Sequence, residues 1–295
     1  MANLKEVRNR IASVQSTQQI TKAMKMVSAA KLKRATNAII ALRPYATKLK
    51  EILGNLSASL EGSSSPFIQE REPNKVLIVT VSSNRGLAGA FNMNVIKAAN
   101  NLIAEKYAEQ LKNGNVSIIS IGKKTQDFYE KRKYNVIGNN NEIFADLTFE
   151  NVTKITDAIM AGFVKGEFDK VEVVYNQFKN AAVQIITSEQ LLPLAKTDEP
   201  VAANAKTTNV DYILEPSQEE IVSELIPKSI KIQLYKAVLD SHASEHGARM
   251  TSMDKATENA GELLKALKLS YNQARQAAIT TELTEIVSGA AALNG

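Results

Sequence analysis

Three stretches of this chain carry residue types that could do chemistry. The first is His242-Ala-Ser-Glu245-His246, which holds the only two histidines in the sequence. It matches the H-x-x-E-H spacing of a zinc protease family, with both imidazoles one turn apart on one helix face. A catalytic zinc would also need a third ligand and a pocket that keeps one coordination position open. The second is the loop Ser82-Ser-Asn-Arg-Gly-Leu-Ala-Gly-Ala90. A glycine-bearing turn between strand and helix can cradle phosphate on its amides. Neither G-x-G-x-x-G nor G-x-x-x-x-G-K-[ST] is present, so a tight turn that packs a helix onto a sheet is the better account. The third is Lys22-Ala-Met-Lys-Met-Val-Ser-Ala-Ala-Lys-Leu-Lys-Arg34, basic enough to suggest nucleic acid or a membrane surface. It lacks interleaved aromatics for base stacking. Its Lys25, Lys31, Lys33 and Arg34 spread around the helix and form no stripe.

The elements that must carry these residues are unusually long. Residues 3–57 read as one helix, with Asn3 as cap and Glu6 answering it in a capping box. Leu4, Val7, Ile11 and Val14 make a seam at 3-4 spacing. The seam is read as drifting to Ile20, Met24 and Val27 past the polar stretch Gln15–Gln19, then resuming at Leu32, Ile39 and Leu42. Pro44 marks a kink or a break. The other end opens on a second capping box, Ser217-Gln-Glu-Glu220, and stays helical nearly to the terminus. Leu263, Leu264, Leu267, Tyr271, Ala274 and Ala278 are placed on one side of it. Helices of roughly 80 and 110 Å cannot be buried by a domain of this size, so they must pair with each other. A packed coiled coil offers no pocket wall to H-x-x-E-H, which leaves a polar helix patch. Gly247 and Gly261 interrupt the pattern at about 1 kcal/mol each. Close approach of another backbone is one reason to keep them.

Between the ends the period changes. Lys75–Ser82 is a buried strand. A helix over 92–112, a strand over 116–121, a short helix over 124–133, a helix over 148–168 and strands over 171–178 and 182–190 follow. Alternating strands and helices predict an α/β sandwich with mostly parallel pairing. The expected organisation is therefore α/β plus a long antiparallel α-helical coiled coil. Residues 1–57 and 218–295 form the coil, a Rossmann-like α/β domain over 75–193 is inserted between them, and 58–74 and 194–217 are linkers.

Bulk properties agree. The 295 residues include no Cys and no Trp, and aromatics make up 5%, as suits paired helices that pack on Leu, Ile, Ala and Met. Without cysteine there is no disulfide, thiolate zinc site or Cys nucleophile. Charged residues at 23% argue against wholesale disorder. The net charge of +5 is uneven. Residues 1–57 carry eleven Lys/Arg against two Asp/Glu, whereas 218–295 carry eight against ten. A basic helix suggests an acidic partner. The opening residues lack the apolar core of a signal peptide, and no apolar run of about 18 residues spans a membrane.

Four blocks carry a family resemblance. Ile11-Ala-Ser-Val-Gln-Ser-Thr-Gln-Gln-Ile-Thr-Lys-Ala-Met-Lys-Met-Val27 resembles the N-terminal helix of the γ subunits of F-type ATP synthases. Ile279-Thr-Thr-Glu-Leu-Thr-Glu-Ile-Val-Ser-Gly-Ala-Ala291 resembles their C-terminal signature. Ala243-Ser-Glu-His-Gly-Ala-Arg-Met250 and Ser83-Asn-Arg-Gly-Leu-Ala-Gly89 resemble two further blocks, in the right order. The resemblance implies a rotating central shaft, itself without catalytic site, nucleotide, metal or cofactor, inside a ring of α and β subunits. A foot on the ε subunit and the c ring is implied, with δ elsewhere in the complex and no nucleic acid bound. It implies ion-driven ATP synthesis at the cytoplasmic face of a bacterial plasma membrane. With no transit peptide, a bacterial type is expected. Met24 and Lys25 match a position that faces a β-subunit loop. Arg249, Gln276, Thr280, Glu282 and Glu285 match polar contacts to the ring. Ile286–Leu293 matches the tip in its bearing. Tyr212 and Glu215, in a segment where Leu214 departs from the pattern, match positions near the c ring. The other readings are a basic coiled-coil adaptor for an acidic partner such as nucleic acid, and a nucleotide-binding enzyme built on the middle domain.

Overall fold

A computed structural model describes residues 4–57, 65–194 and 218–293. In chain order the elements are α1 (Leu4–Ser57), β1 (Val76–Val81), α2 (Phe91–Lys106), α3 (Ala108–Lys112), β2 (Val116–Ile121), α4 (Lys123–Lys131) and β3 (Asn135–Val136). A 3-10 turn at Asn141–Phe144 is followed by α5 (Phe149–Val164), β4 (Lys170–Phe178), β5 (Gln184–Leu192) and α6 (Gln218–Leu293). The caps expected at Asn3 and Ser217 lie outside the described residues. By contacts the chain divides into two compact units, residues Met1–Ala29 with Arg249–Gly295, and Ala30–Ala248.

The second unit holds a five-stranded sheet in the order β3-β2-β1-β4-β5. Pairing is parallel except between β4 and β5. Every residue of β1 is buried because both faces are covered. Leu77, Val79 and Val81 point to the face packed by α5, the end of α1 and the first half of α6, among them Phe163, Leu53, Ile230 and Val238. Val76 and Ile78 point to the other face, against Val95, Ala99 and Ile103 of α2.

Several boundaries differ from the sequence reading. The helix expected over 92–112 breaks at Tyr107, whose backbone leaves helical geometry. Its ring is buried, and its hydroxyl donates to Glu172 Oε1 at 2.6 Å. That tertiary anchor outweighs the helical propensity of its neighbours. The helix expected over 148–168 ends at Val164, because Gly166 turns the chain at φ 75° and sends Phe168 back over Gly162. The strand expected over 182–190 runs Gln184–Leu192. The two-residue β3 and the 3-10 turn carry too short a pattern to be seen. Pro44 does not break α1, which runs through it with the proline on the exposed side.

The seam of α1 also differs. Ile20 and Val27 are 56% and 58% exposed. The less exposed positions instead run 4, 7, 11, 14, 18, 21, 25, 28, 32, 35, 39, 42, 46, 49 and 53 without a break in the 3-4 spacing. The seam does not drift. It continues through polar residues, Gln18, Thr21, Lys25 and Ser28, where an apolar template finds nothing. On α6 the matching series is 253, 257, 260, 264, 267, 271, 274 and 278, and Leu263 is 49% exposed, off the seam.

Candidate functional site

In the first unit the residues of α1 meet those of α6 in reverse order, so the pair is antiparallel. Arg8 Nη2 donates to the Tyr271 hydroxyl at 2.8 Å, with the guanidinium 5.7 Å from the ring centre. Further along α1, Gln18 Nε2 reaches the Thr257 carbonyl at 3.4 Å. Thr257 Oγ1 donates to Thr21 Oγ1 at 2.8 Å. Lys25 Nζ meets Asp254 Oδ1 at 2.5 Å, both side chains about half exposed. An open groove of about 660 Å³ beside this layer is edged by Asp254, Glu258 and Glu262. The middle of the helix pair is thus held by hydrogen bonds where an ordinary coiled coil has leucine.

Beyond Ala278 the pairing stops. Residues 279–292 are all exposed, including Ile279 at 49%, Leu283 at 57%, and Ile286 and Val287 at 67% each. This last stretch of helix is apolar enough to ask for a partner and has none within the chain among the described residues. Gln276 and Thr280 stand one turn apart where this stretch begins, with Thr280 Oγ1 donating to the Gln276 carbonyl at 2.9 Å. Glu282 and Glu285 are exposed on the same stretch. Of the other expected contact residues, Met24 is half-buried beside Lys25, and Arg249 is 8% exposed. Tyr212 and Glu215 lie outside the described residues. Sequence reasoning missed Gln18, Thr21, Asp254 and Thr257. Counting the 3-4 spacing through polar residues would have found the first two.

In the second unit the loop after β1 uses its own groups to start α4. Ser82 Oγ accepts from the Thr125 amide at 3.1 Å, the Ser83 carbonyl from the Lys124 amide at 3.1 Å, and Asn84 Oδ1 from the Lys123 amide at 3.0 Å. A phosphate at this helix start would have to displace all three, which favours the tight-turn reading. Gly122 is required there, since its φ is 116° and a Cβ would stand 2.3 Å from the Ser82 carbonyl oxygen. Leu87 in the same loop holds φ 65° and is 65% exposed.

The H-x-x-E-H histidines face each other. His242 Nε2 and His246 Nε2 are 3.1 Å apart, and the His242 ring stacks on Phe144. Among the described residues, no group of three or more potential ligands is placed to hold a metal ion. Two residues before His242, burial pushes the Asp240 carboxyl up to about 6. Lys236 and Arg43 pull it down and Glu189 pushes it up. No described helix is long and apolar enough to cross a membrane.

The family model for ATP synthase matches residues 3–293. The ATP synthase γ chain of Flavobacterium johnsoniae is 59% identical over 296 residues, and that of Cytophaga hutchinsonii 57% over 295, each match covering 100% of both chains. The γ chain of Chlorobium phaeobacteroides is 47% identical, again over the whole of both.

The chain belongs to the ATP synthase γ-chain family.

Solved structures share the fold at lower identity. A chain in the rotor of Euglena gracilis mitochondrial ATP synthase superposes with a TM-score of 0.64 at 20% identity, covering 94% of this chain and 98% of that one. A chain of the OSCP/F1/c-ring assembly of the same enzyme gives 0.65 at 21%, covering 98% and 94%. The γ-chain family therefore accounts for both the antiparallel helix pair and the α/β sheet whose strands fall between its two helices in the sequence.

Proposed function

We propose that this chain is the central shaft of a rotary ATP synthase, carrying torque between a membrane ring and a catalytic head without a catalytic site of its own. The observation that carries the reading is the unpaired end of α6, residues 279–292, whose exposed Leu283, Ile286 and Val287 suit a bearing supplied by other subunits. A shaft must grip and release in turn. Polar contacts worth roughly 1.5–3 kcal/mol when charged serve that better than a large apolar patch. Met24, Lys25, Arg249, Gln276, Thr280, Glu282 and Glu285 are assigned to the head of α and β subunits. Tyr212 and Glu215 are assigned to the c ring, with ε beside the α/β domain. Residues 1–57 and 218–295 act as shaft, 75–193 as the foot domain, and 58–74 and 194–217 as linkers. The site of action is the cytoplasmic face of a bacterial plasma membrane, reached only through the complex.

The test is reconstitution with α and β subunits, followed by deletion of residues 284–295. The full chain should co-purify with them, and the deletion should change the ATPase rate of the assembly. Failure to co-purify, or an unchanged rate, would overturn the shaft. Steep salt-dependent binding to duplex DNA would instead favour the adaptor.

A further inference from the structure

An open α/β sheet of this kind takes its ligand in the crevice at the carboxyl ends of its strands, where the strand order reverses. Here the reversal falls between β1 and β4, which pair directly. The crevice is filled by the chain itself. Ser241 Oγ of α6 donates to the Val81 carbonyl at the end of β1, at 3.3 Å. Ser244 Oγ donates to the Asn176 carbonyl near the end of β4, at 3.0 Å. Both serines are buried, at 1% and 0% exposure. One turn on, Gly247 lies against the β4–β5 hairpin, where a Cβ would stand 3.1 Å from the Ala181 oxygen and 3.2 Å from its Cα. Asn176 Nδ2 in turn donates to the Phe91 carbonyl at the start of α2, at 3.3 Å.

Hydroxyls on a helix ordinarily bond the carbonyl four residues back. Thr280, Thr281 and Thr284 of α6 do so. Ser241 and Ser244 point outward to strand backbone, which is stiffer than any side chain. Gly247 brings backbone against backbone with no side chain between, and such close packing transmits displacement.

We infer that Ser241, Ser244 and Gly247 are positioning residues that lock α6 to the carboxyl ends of β1 and β4, so that force applied to the sheet passes into α6 without slip. The inference rests on the shaft reading above. It gives the fold's usual ligand crevice a mechanical use.

Ser241→Ala with Ser244→Ala removes two neutral hydrogen bonds, roughly thirtyfold in the attached-to-detached ratio. In the assembled, membrane-bound complex, ATP hydrolysis should persist while ions pumped per ATP fall, most under an opposing gradient. Each serine replaced singly should cause a smaller fall of the same kind. A merely structural role would lower both activities together. An unchanged ratio under load would overturn the lock, and if the double variant does not assemble the single variants decide. An unaltered chain that fails to support pumping at all would sink the shaft reading instead.

Discussion

Gly247 meets Ala181 backbone to backbone: a Cβ added at 247 would lie 3.1 Å from the Ala181 carbonyl oxygen. Gly261, on the same helix, faces only the amide end of Gln18, at 3.0 Å. The two glycines look alike in sequence and should behave oppositely. Hairpin backbone cannot yield, so Gly247→Ala should destabilise by about 1–3 kcal/mol through overpacking. A flexible Gln18 can swing aside, so Gly261→Ala should be neutral or gain up to about 1 kcal/mol of helix propensity. Denaturant midpoints of both variants decide, and equal shifts would contradict the difference.

Asp240 predicts a pH dependence. Its carboxyl is raised from 3.8 to about 6 in the fold, so the folded state binds this proton more tightly than the unfolded state. Stability should therefore fall as pH rises from about 4 to about 6, with the full cost present above that. Asp240→Asn should recover up to roughly 3 kcal/mol at pH 7 and nothing at pH 4. Parallel stability curves for the two proteins across that range would remove Asp240 as the cause.

The Lys25–Asp254 pair should matter little to folding. Its side chains are 41% and 59% exposed, a setting in which ion pairs are worth about 0–1 kcal/mol. Asp254→Asn should shift the melting temperature slightly, and less at high salt. Its effect should appear in the ATPase rate of the assembly, where Lys25 is assigned to a β-subunit contact. A large loss of stability with normal turnover would reverse that assignment.

Replacing Leu283, Ile286 and Val287 by serine should leave the melting temperature of the isolated chain unchanged, since all three are exposed. Turnover of the assembled head should nevertheless fall. A stability loss of more than about 1 kcal/mol would mean these side chains pack within the chain after all.

The long helices, the sheet class and the family could be read from residues alone. Apolar periodicity identifies a helix or a buried strand wherever the side chains facing the core are apolar, as from Leu4 to Val14 or Val76 to Val81. Where the core is polar, that signal vanishes. Gln18, Thr21 and Thr257 keep the 3-4 spacing yet appear in sequence as a gap in the seam. Only the opposing helix shows that each hydroxyl or amide has a partner. The same holds for Ser241 and Ser244, ordinary helix serines until β1 and β4 bring carbonyls within reach. Tyr107 ends its helix because Glu172, sixty-five residues on, accepts a hydrogen bond from its hydroxyl. Local pattern sets what each segment tends to form. Which polar groups are satisfied, and by whom, depends on neighbours far away in the chain, and that was decided by the tertiary structure.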